Sequence, residues 1–363
     1  MKVRRSVWAA TIGVILVALT FASVCFALNE DPLIPDPKLE RAIRYTWGIQ
    51  TGEEFGDITK ANLERLTCLR GMGAGISDLS GLEYCTNLEF IGLSRNHITD
   101  ISPLANLTKV TYLSLLRNNI SDISPVSNLT NLTTLHIWEN RISDITPLAG
   151  LTNLTCLVLP ENQISDLSPL ARLTNLELLV LRKNQIMDIT PLTGLNNLGS
   201  LSISENQIED ITPLASLKNL YSLEIDQNCI CDIIALSSLK CLEQLTLDSN
   251  KIADITPLAS LNKLIRLHMN SNRIEDISPL SYLTSLRYLY MQQNQISDLS
   301  PLLNNEGIGE GNERYCDERG NCSPAGPDKL DVTGNPLSDA SIGIYIPQLE
   351  GRPGVEVVWE QSE

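Results

Sequence analysis

One asparagine recurs every 22 residues along most of this chain, and that spacing constrains the fold more than any other feature. It stands at Asn96, Asn118, Asn140, Asn162, Asn184, Asn206, Asn228, Asn250, Asn272 and Asn294 without a slip. The frame around it reads N-x-I-x-D-[IL]-[ST]-P-L, and NQISDLSPLARLTNLELLVLRKNQIMDITPL, residues 162–192, holds it twice. A weaker turn precedes the series, LRGMGAGISDLSGL, with Ala74 in the asparagine place. Another follows an insertion, LDVTGNPL, with Asn335. Counting both, the sequence predicts twelve turns of one solenoid, because a repeat this short cannot bury its apolar face alone.

Each frame position has a physical job. In LVLRKNQI, residues 179–186, Leu179 and Leu181 alternate with Val180 and Arg182, the period of a strand with one buried face. The asparagine carries both donor and acceptor groups and can satisfy backbone where the coil bends out of its strand. Ser or Thr before Pro is a helix-start signal in which the hydroxyl is expected to cap. Only a few residues remain before the next strand, so short 3₁₀ turns are expected rather than full helices. Ile234 and Ala235 replace the Ser/Thr and Pro in one turn, DIIALSSL, which should therefore be the least well capped. The predicted fold is an α/β solenoid, with one parallel sheet on the concave side and 3₁₀ turns on the convex side.

LxxLxLxxNxI with xDIxPL in a strict 22-residue period resembles the leucine-rich repeats of the internalin type, over residues 66–302 and again from Leu330. The resemblance implies a right-handed leucine-rich repeat array in a bacterial surface protein. The flanks fit it. IPDPKLERAIRYTWG reads as a capping helix, with Asp36 as N-cap, Pro37 in its first turn, Leu39, Ala42, Ile43 and Trp47 on one face, and Gly48 ending it. DITKANLERL offers a second helix capped by Thr59. At the other end a helix over residues 338–346, interrupted by Pro347, leads to VEVVW as a final strand. The expected divisions are a signal peptide or anchor (1–27), a helical N-terminal cap (28–65), repeats (66–302), an inserted loop (303–329), and a last repeat with C-terminal cap (330–363). The insertion, NERYCDERGNCSPAGPD, departs from the family pattern and is expected to protrude.

Lys2, Arg4 and Arg5 precede the apolar run VWAATIGVILVALTF, and CFA ending at Ala27 suits cleavage after export. Secretion or tethering at the cell surface follows, with membrane contact only through this segment if it is uncleaved. In an exported chain Cys316 and Cys322 are a natural disulfide within the loop. Cys229, Cys231 and Cys241 lack the paired spacing and fourth ligand of a metal site. Cys85 takes a leucine position and reads as core. His97, His136 and His268 fall in separate coils with no nucleophile frame, so no enzyme, metal or cofactor is expected.

A formal charge of -16 disfavours nucleic acid and anionic lipid as partners. The remaining place for function is the outward side of the strands. Phe90, Tyr112, Leu116, His136, Trp138, Val158, Leu178 and Val180 line it on successive coils, and Tyr288 and Tyr290 form a second group near the C-terminal end. Contiguous apolar surface of this kind marks interaction sites, with Trp and Tyr as common anchors. The expectation is a monomeric recognition protein that binds a protein ligand through this face. The alternatives are an envelope spacer, or an intracellular scaffold resembling a phosphatase regulatory subunit if the leader is not an export signal.

Overall fold

The computed structural model describes residues 32–309, 315–316, 322–323 and 328–359. The expected leader, residues 1–27, lies outside them. Among the described residues, no helix is long and apolar enough to cross a membrane.

Coils 1 to 11 each contribute one three-residue strand whose middle residue is buried and whose neighbours in most coils stay at least partly open. In Leu178–Val180, for example, Leu179 is fully buried between two half-exposed residues. Coil 1 begins at Cys68–Arg70, coil 11 at Tyr288–Tyr290 and coil 12 at Asp328–Asp331. Their strands pair in parallel, in sequence order, and Val355–Val358 adds a thirteenth at the end. The register advances by one period per strand, so Cys156, Leu178 and Ser200 stand side by side. Equivalent leucines and isoleucines therefore stack into one core that runs the length of the array, from Ile34 to Leu349. Short 3₁₀ turns such as Ser168–Arg172 and Thr190–Gly194 form the opposite wall.

The recurring asparagine stitches each coil to the one before it. Asn184 Oδ1 accepts from the Ile164 amide at 3.0 Å. Its Nδ2 donates to the carbonyls of Leu159 (3.1 Å) and Leu181 (2.9 Å), one in each coil. The same set repeats down to Asn335, which serves Ile296 and Met291 across the insertion. Because the side chain serves the preceding coil, Ala74 in coil 1 has no coil behind it to serve. A second asparagine series lies on the turn side. Asn131, Asn153, Asn175, Asn197 and Asn219 each donate from Nδ2 to a carbonyl of the preceding coil.

The turn caps differ from the sequence expectation. The Ser or Thr hydroxyl does not cap; the frame aspartate does. Asp100 Oδ1 accepts from the Ser102 amide at 2.8 Å, while Oδ2 accepts from the Ser102 hydroxyl at 2.9 Å. The residue between them has no capping side chain. Replacing Ser/Thr by Ile234 therefore removes only the second bond, and Asp232 still accepts from the Ile234 amide at 2.8 Å. The turn Ile234–Ser238 keeps its full length, and Ala235 packs inward where Pro stood.

The residue just before each asparagine is left-handed. Among the described residues, ten that are not glycine, Arg95, Arg117, Glu139, Glu161, Lys183, Glu205, Gln227, Ser249, Ser271 and Gln293, have φ between 52° and 58°. Coils 1 and 12 place Gly73 and Gly334 there, at 67° and 72°. That conformation costs a side chain roughly 1–2 kcal/mol, so a polar residue stands there in ten coils against local preference.

The ends correct two further expectations. The first helix, Pro37–Thr51, runs through Gly48, because Gly52 takes the left-handed cap and donates back to the Gly48 carbonyl at 2.9 Å. Its Thr46 hydroxyl accepts from the Arg70 amide at 3.0 Å, so the helix covers the first edge of the sheet. Asp36 caps this helix and also accepts from the amides of Ser77 and Asp78 in coil 1. Burial opposes ionisation of Asp36, but the amides of Ser77, Lys38, Asp78 and Leu39 outweigh it and hold the carboxyl below its usual range. Thr59 accepts from Asn62 and caps the short helix Lys60–Leu63. At the other end Pro347 does not interrupt its helix. A π-helical turn, Ser341–Tyr345, leads into Ile346–Glu350, and its wider winding suits a residue that lacks the N–H of a regular turn.

Within the insertion, Tyr315–Cys316 and Cys322–Ser323 pair antiparallel, with Cys316 opposite Cys322. The side chains of Cys316 and Cys322 and the expected protrusion of the loop lie outside the described residues. The loop's base is held by Arg352, whose guanidinium donates to the carbonyls of Asn305 (2.7 Å) and Ile308 (3.1 Å).

Candidate functional site

Strand residues that point away from the core form one face across thirteen strands, and its chemistry changes along the array. In coils 2 and 3 the pairing sets Phe90 beside Tyr112. Their rings stack at 4.5 Å with a 6° interplanar angle. Gly92 makes room for this, since a Cβ there would meet the Phe90 ring at 3.1 Å. The Arg70 guanidinium lies 4.8 Å from the Phe90 ring centroid. Tyr112 also meets the His136 ring edge-on at 5.5 Å, with its hydroxyl 3.4 Å from Nδ1.

His136 Nε2 lies 3.5 Å from the Cys156 thiol. Burial pushes the imidazole down and the thiol up, so each favours its neutral form. A nucleophilic thiolate needs the opposite shift at sulfur. Reading the histidines by coil missed this contact. The signal was there: Cys156 is 20 residues after His136, diagonally across one strand pair.

Trp138 stands in the next column, with the Arg117 guanidinium 5.1 Å from its ring and Arg117 in turn paired with Glu139. Leu116, Val158, Leu178 and Val180 continue the half-exposed apolar surface through coil 6. Coil 7 turns small and polar with Ser200, Ser202 and Ser204. The Ser204 and Thr246 hydroxyls both donate to Asp226 Oδ1. Burial raises the Asp248 carboxyl above its usual range, against the opposing hydrogen bonds from Asn270. His268 lies between Asp248 and Tyr290, 4.3 Å from the tyrosine ring. Burial lowers the His268 imidazole, and Asp248 opposes that shift. Tyr288 carries Arg266 at 5.0 Å.

The structure thus joins Phe90, Tyr112 and His136 by direct ring contacts, gives Trp138 a separate contact, and leaves Tyr288 and Tyr290 apart with His268. A cavity of about 420 Å³ opens over the first group, lined by Arg70, Met72, Phe90, Tyr112, Leu116 and His136 among others. A second, of about 570 Å³, adjoins it between coil 1 and the capping helix and shares Arg70 and Met72. The sequence reading began the face at coil 2 and so missed Arg70, Met72 and the helix residues Lys38, Arg41 and Tyr45. The strand CLR, one period before FIG, was the available signal.

On the turn side, Ile234 and Tyr282 are 56% and 64% exposed and flank a cavity of about 470 Å³. The departure from the frame at Ile234 creates this patch. Cys85 is buried in the core, which pushes its thiol up to about 12. Cys229, Cys231 and Cys241 are free thiols, and among the described residues no group of His, Cys, Asp and Glu is arranged to hold a metal.

The family described as Leucine Rich repeats (2 copies) matches residues 86–128, 108–150, 152–194 and 262–304. The crystal structure of an internalin, inlF, from Listeria monocytogenes is 36% identical to this chain. The match covers 91% of this chain and 92% of that one, with a TM-score of 0.77. A leucine-rich repeat protein of Leptospira interrogans is 22% identical over 76% of this chain and 68% of its own, at a TM-score of 0.67. The plant peptide hormone receptor RGFR1, solved in complex with RGF2, is 19% identical over 77% of this chain and 54% of its own, at 0.59. These last two share the fold alone. No curated protein matches the chain.

Proposed function

The chain belongs to the internalin-like bacterial leucine-rich repeat proteins, and from that premise we propose that it is an exported, non-enzymatic recognition protein that binds a protein partner on its sheet face. The observation that carries this reading is the ordered apolar surface of coils 2–6. A sheet face exposed only to water would carry polar residues at these positions. Instead it holds Phe90 and Tyr112 stacked in register and Trp138 half-exposed beneath Arg117. Large rigid rings presented this way lose little entropy on binding and are frequent anchors of protein interfaces.

Export is supported by the sequence of residues 1–27, with its basic start, its apolar run and the segment CFA that ends at Ala27. The absence of catalysis is supported by the neutral Cys156–His136 pair, the one thiol–imidazole contact on the face among the described residues.

Trp138→Ala tests the reading. It should leave the melting temperature nearly unchanged and weaken capture of a partner by about 2 kcal/mol or more, near thirtyfold. Unchanged capture would remove Trp138 as an anchor. Unfolding would assign it to the core instead.

A further inference from the structure

Charge is distributed unevenly around the face. The chain holds 43 acidic residues against 27 basic ones. Yet the two adjoining cavities at the N-terminal end are lined by Lys38, Arg41 and Arg70 and by no carboxylate. Lys38 Nζ donates to the Gly75 carbonyl at 2.8 Å. Among the described residues, neither Arg41 nor Arg70 has a carboxylate within ion-pair distance. Three cations without a carboxylate partner thus rim a groove whose walls include Met72 and Tyr45, 63% and 65% exposed, and whose far end is the Phe90–Tyr112 stack.

We propose that this groove, continuous from the capping helix to coil 4, takes an acidic peptide segment of a protein partner, with a large apolar side chain seated over Phe90 and Tyr112. The proposal rests on the sheet-face reading and gives its N-terminal part a ligand chemistry. Cations that lack a carboxylate partner, on a surface of opposite overall sign, steer and orient an anionic segment more than they add affinity. The apolar wall supplies the rest, since an exposed methionine and stacked rings are desolvated by a side chain and not by a carboxylate. A long polyanion fits poorly, because the rest of this acidic chain repels it. From Arg70 in coil 1 to His136 in coil 4 is three strand spacings, roughly 14 Å, or about four residues of extended peptide.

A phage-displayed library of random heptapeptides, panned on the full chain, tests this. Clones enriched on the parent should carry Asp or Glu beside Phe, Trp, Tyr or Leu. They should bind the double variant Arg41→Glu, Arg70→Glu at least about tenfold more weakly, and weaken as salt rises from about 50 to about 500 mM. Arg41→Lys, Arg70→Lys should keep most of the binding, which separates charge from fold. No enrichment, enrichment without acidic residues, or equal binding to the charge-reversed variant overturns the proposal. Clones indifferent to charge reversal but lost on Trp138→Ala overturn it while leaving the sheet-face reading intact.

Discussion

The amide of Ile164 donates to Oδ1 of Asn184 at 3.0 Å, twenty residues later and one coil further along the stack. Both groups are buried, so the bond cannot be exchanged for water. Asn184→Ala should cost about 1–3 kcal/mol, since it leaves the Ile164 amide without its partner and takes one of two asparagine donors from each of the Leu159 and Leu181 carbonyls. Arg182→Ala, whose exposed guanidinium pairs with Glu205, should cost less than about 0.5 kcal/mol. Equal shifts for the two in thermal melts would refute this division of roles.

Gly73 and Gly150 separate backbone strain from packing. A Cβ at either would meet nothing within 4 Å, but only Gly73 has positive φ, 67°. Gly73→Ala should destabilise by about 1 kcal/mol, and Gly150→Ala should be neutral or slightly stabilising. Matching urea midpoints for both variants would show that the left-handed column carries no strain.

Acid should weaken the turn wall first. The carboxyls of Asp144, Asp188 and Asp254 are held below their usual range by the side-chain and then the backbone hydrogen bonds of Thr146, Thr190 and Thr256. In Asp210 the Thr212 amide is the larger cause. A carboxyl whose folded pKa is depressed stabilises fully above its unfolded value, about pH 4, and loses that contribution as pH falls through the folded value. Melting temperature should therefore be flat down to about pH 4 and drop below it. The quadruple Asp→Asn variant keeps the acceptor without titrating and should drop less. A parallel decline of variant and parent would exclude these four carboxyls as the cause.

Removing residues 206–227, one full period, should leave a cooperative fold with one strand fewer, because Asn228 then follows Glu205 in frame. Removing residues 206–226 leaves Gln227 as one extra residue between Glu205 and Asn228, which puts the junction coil out of register while the later coils keep their own spacing, and this variant should melt well below the in-frame deletion. Circular dichroism melts of the two deletions distinguish them.

The solenoid was legible because each coil repeats one local solution, so Leu179 and Asn184 could be read from their spacing alone. The caps were less legible. Asp100 and Ser102 both suit a helix start, and only the fold shows that the carboxylate takes the amide while the hydroxyl donates to it. The left-handed residues were invisible, because Arg, Glu, Lys, Gln and Ser there give no hint; Gly73 and Gly334 alone marked the position. At the N-terminal end the groove joins coil 1 to a helix about thirty residues earlier. No periodicity encodes that meeting of Arg41 with Arg70.

Since every asparagine serves the coil behind it, the array has a direction of completion. A chain that emerges N-terminus first leaves its newest coil with an open amide until the next asparagine arrives, so each coil is sealed one step late. Most of these closures span 20 residues, as from Ile274 to Asn294. The last, from Ile296 to Asn335, spans 39 and must wait for the whole insertion. Closing a loop about twice as long costs only about 0.6 kcal/mol more entropy. The insertion therefore acts on timing more than on stability: it separates eleven coils that zip in even steps from a terminal clasp that locks after a pause.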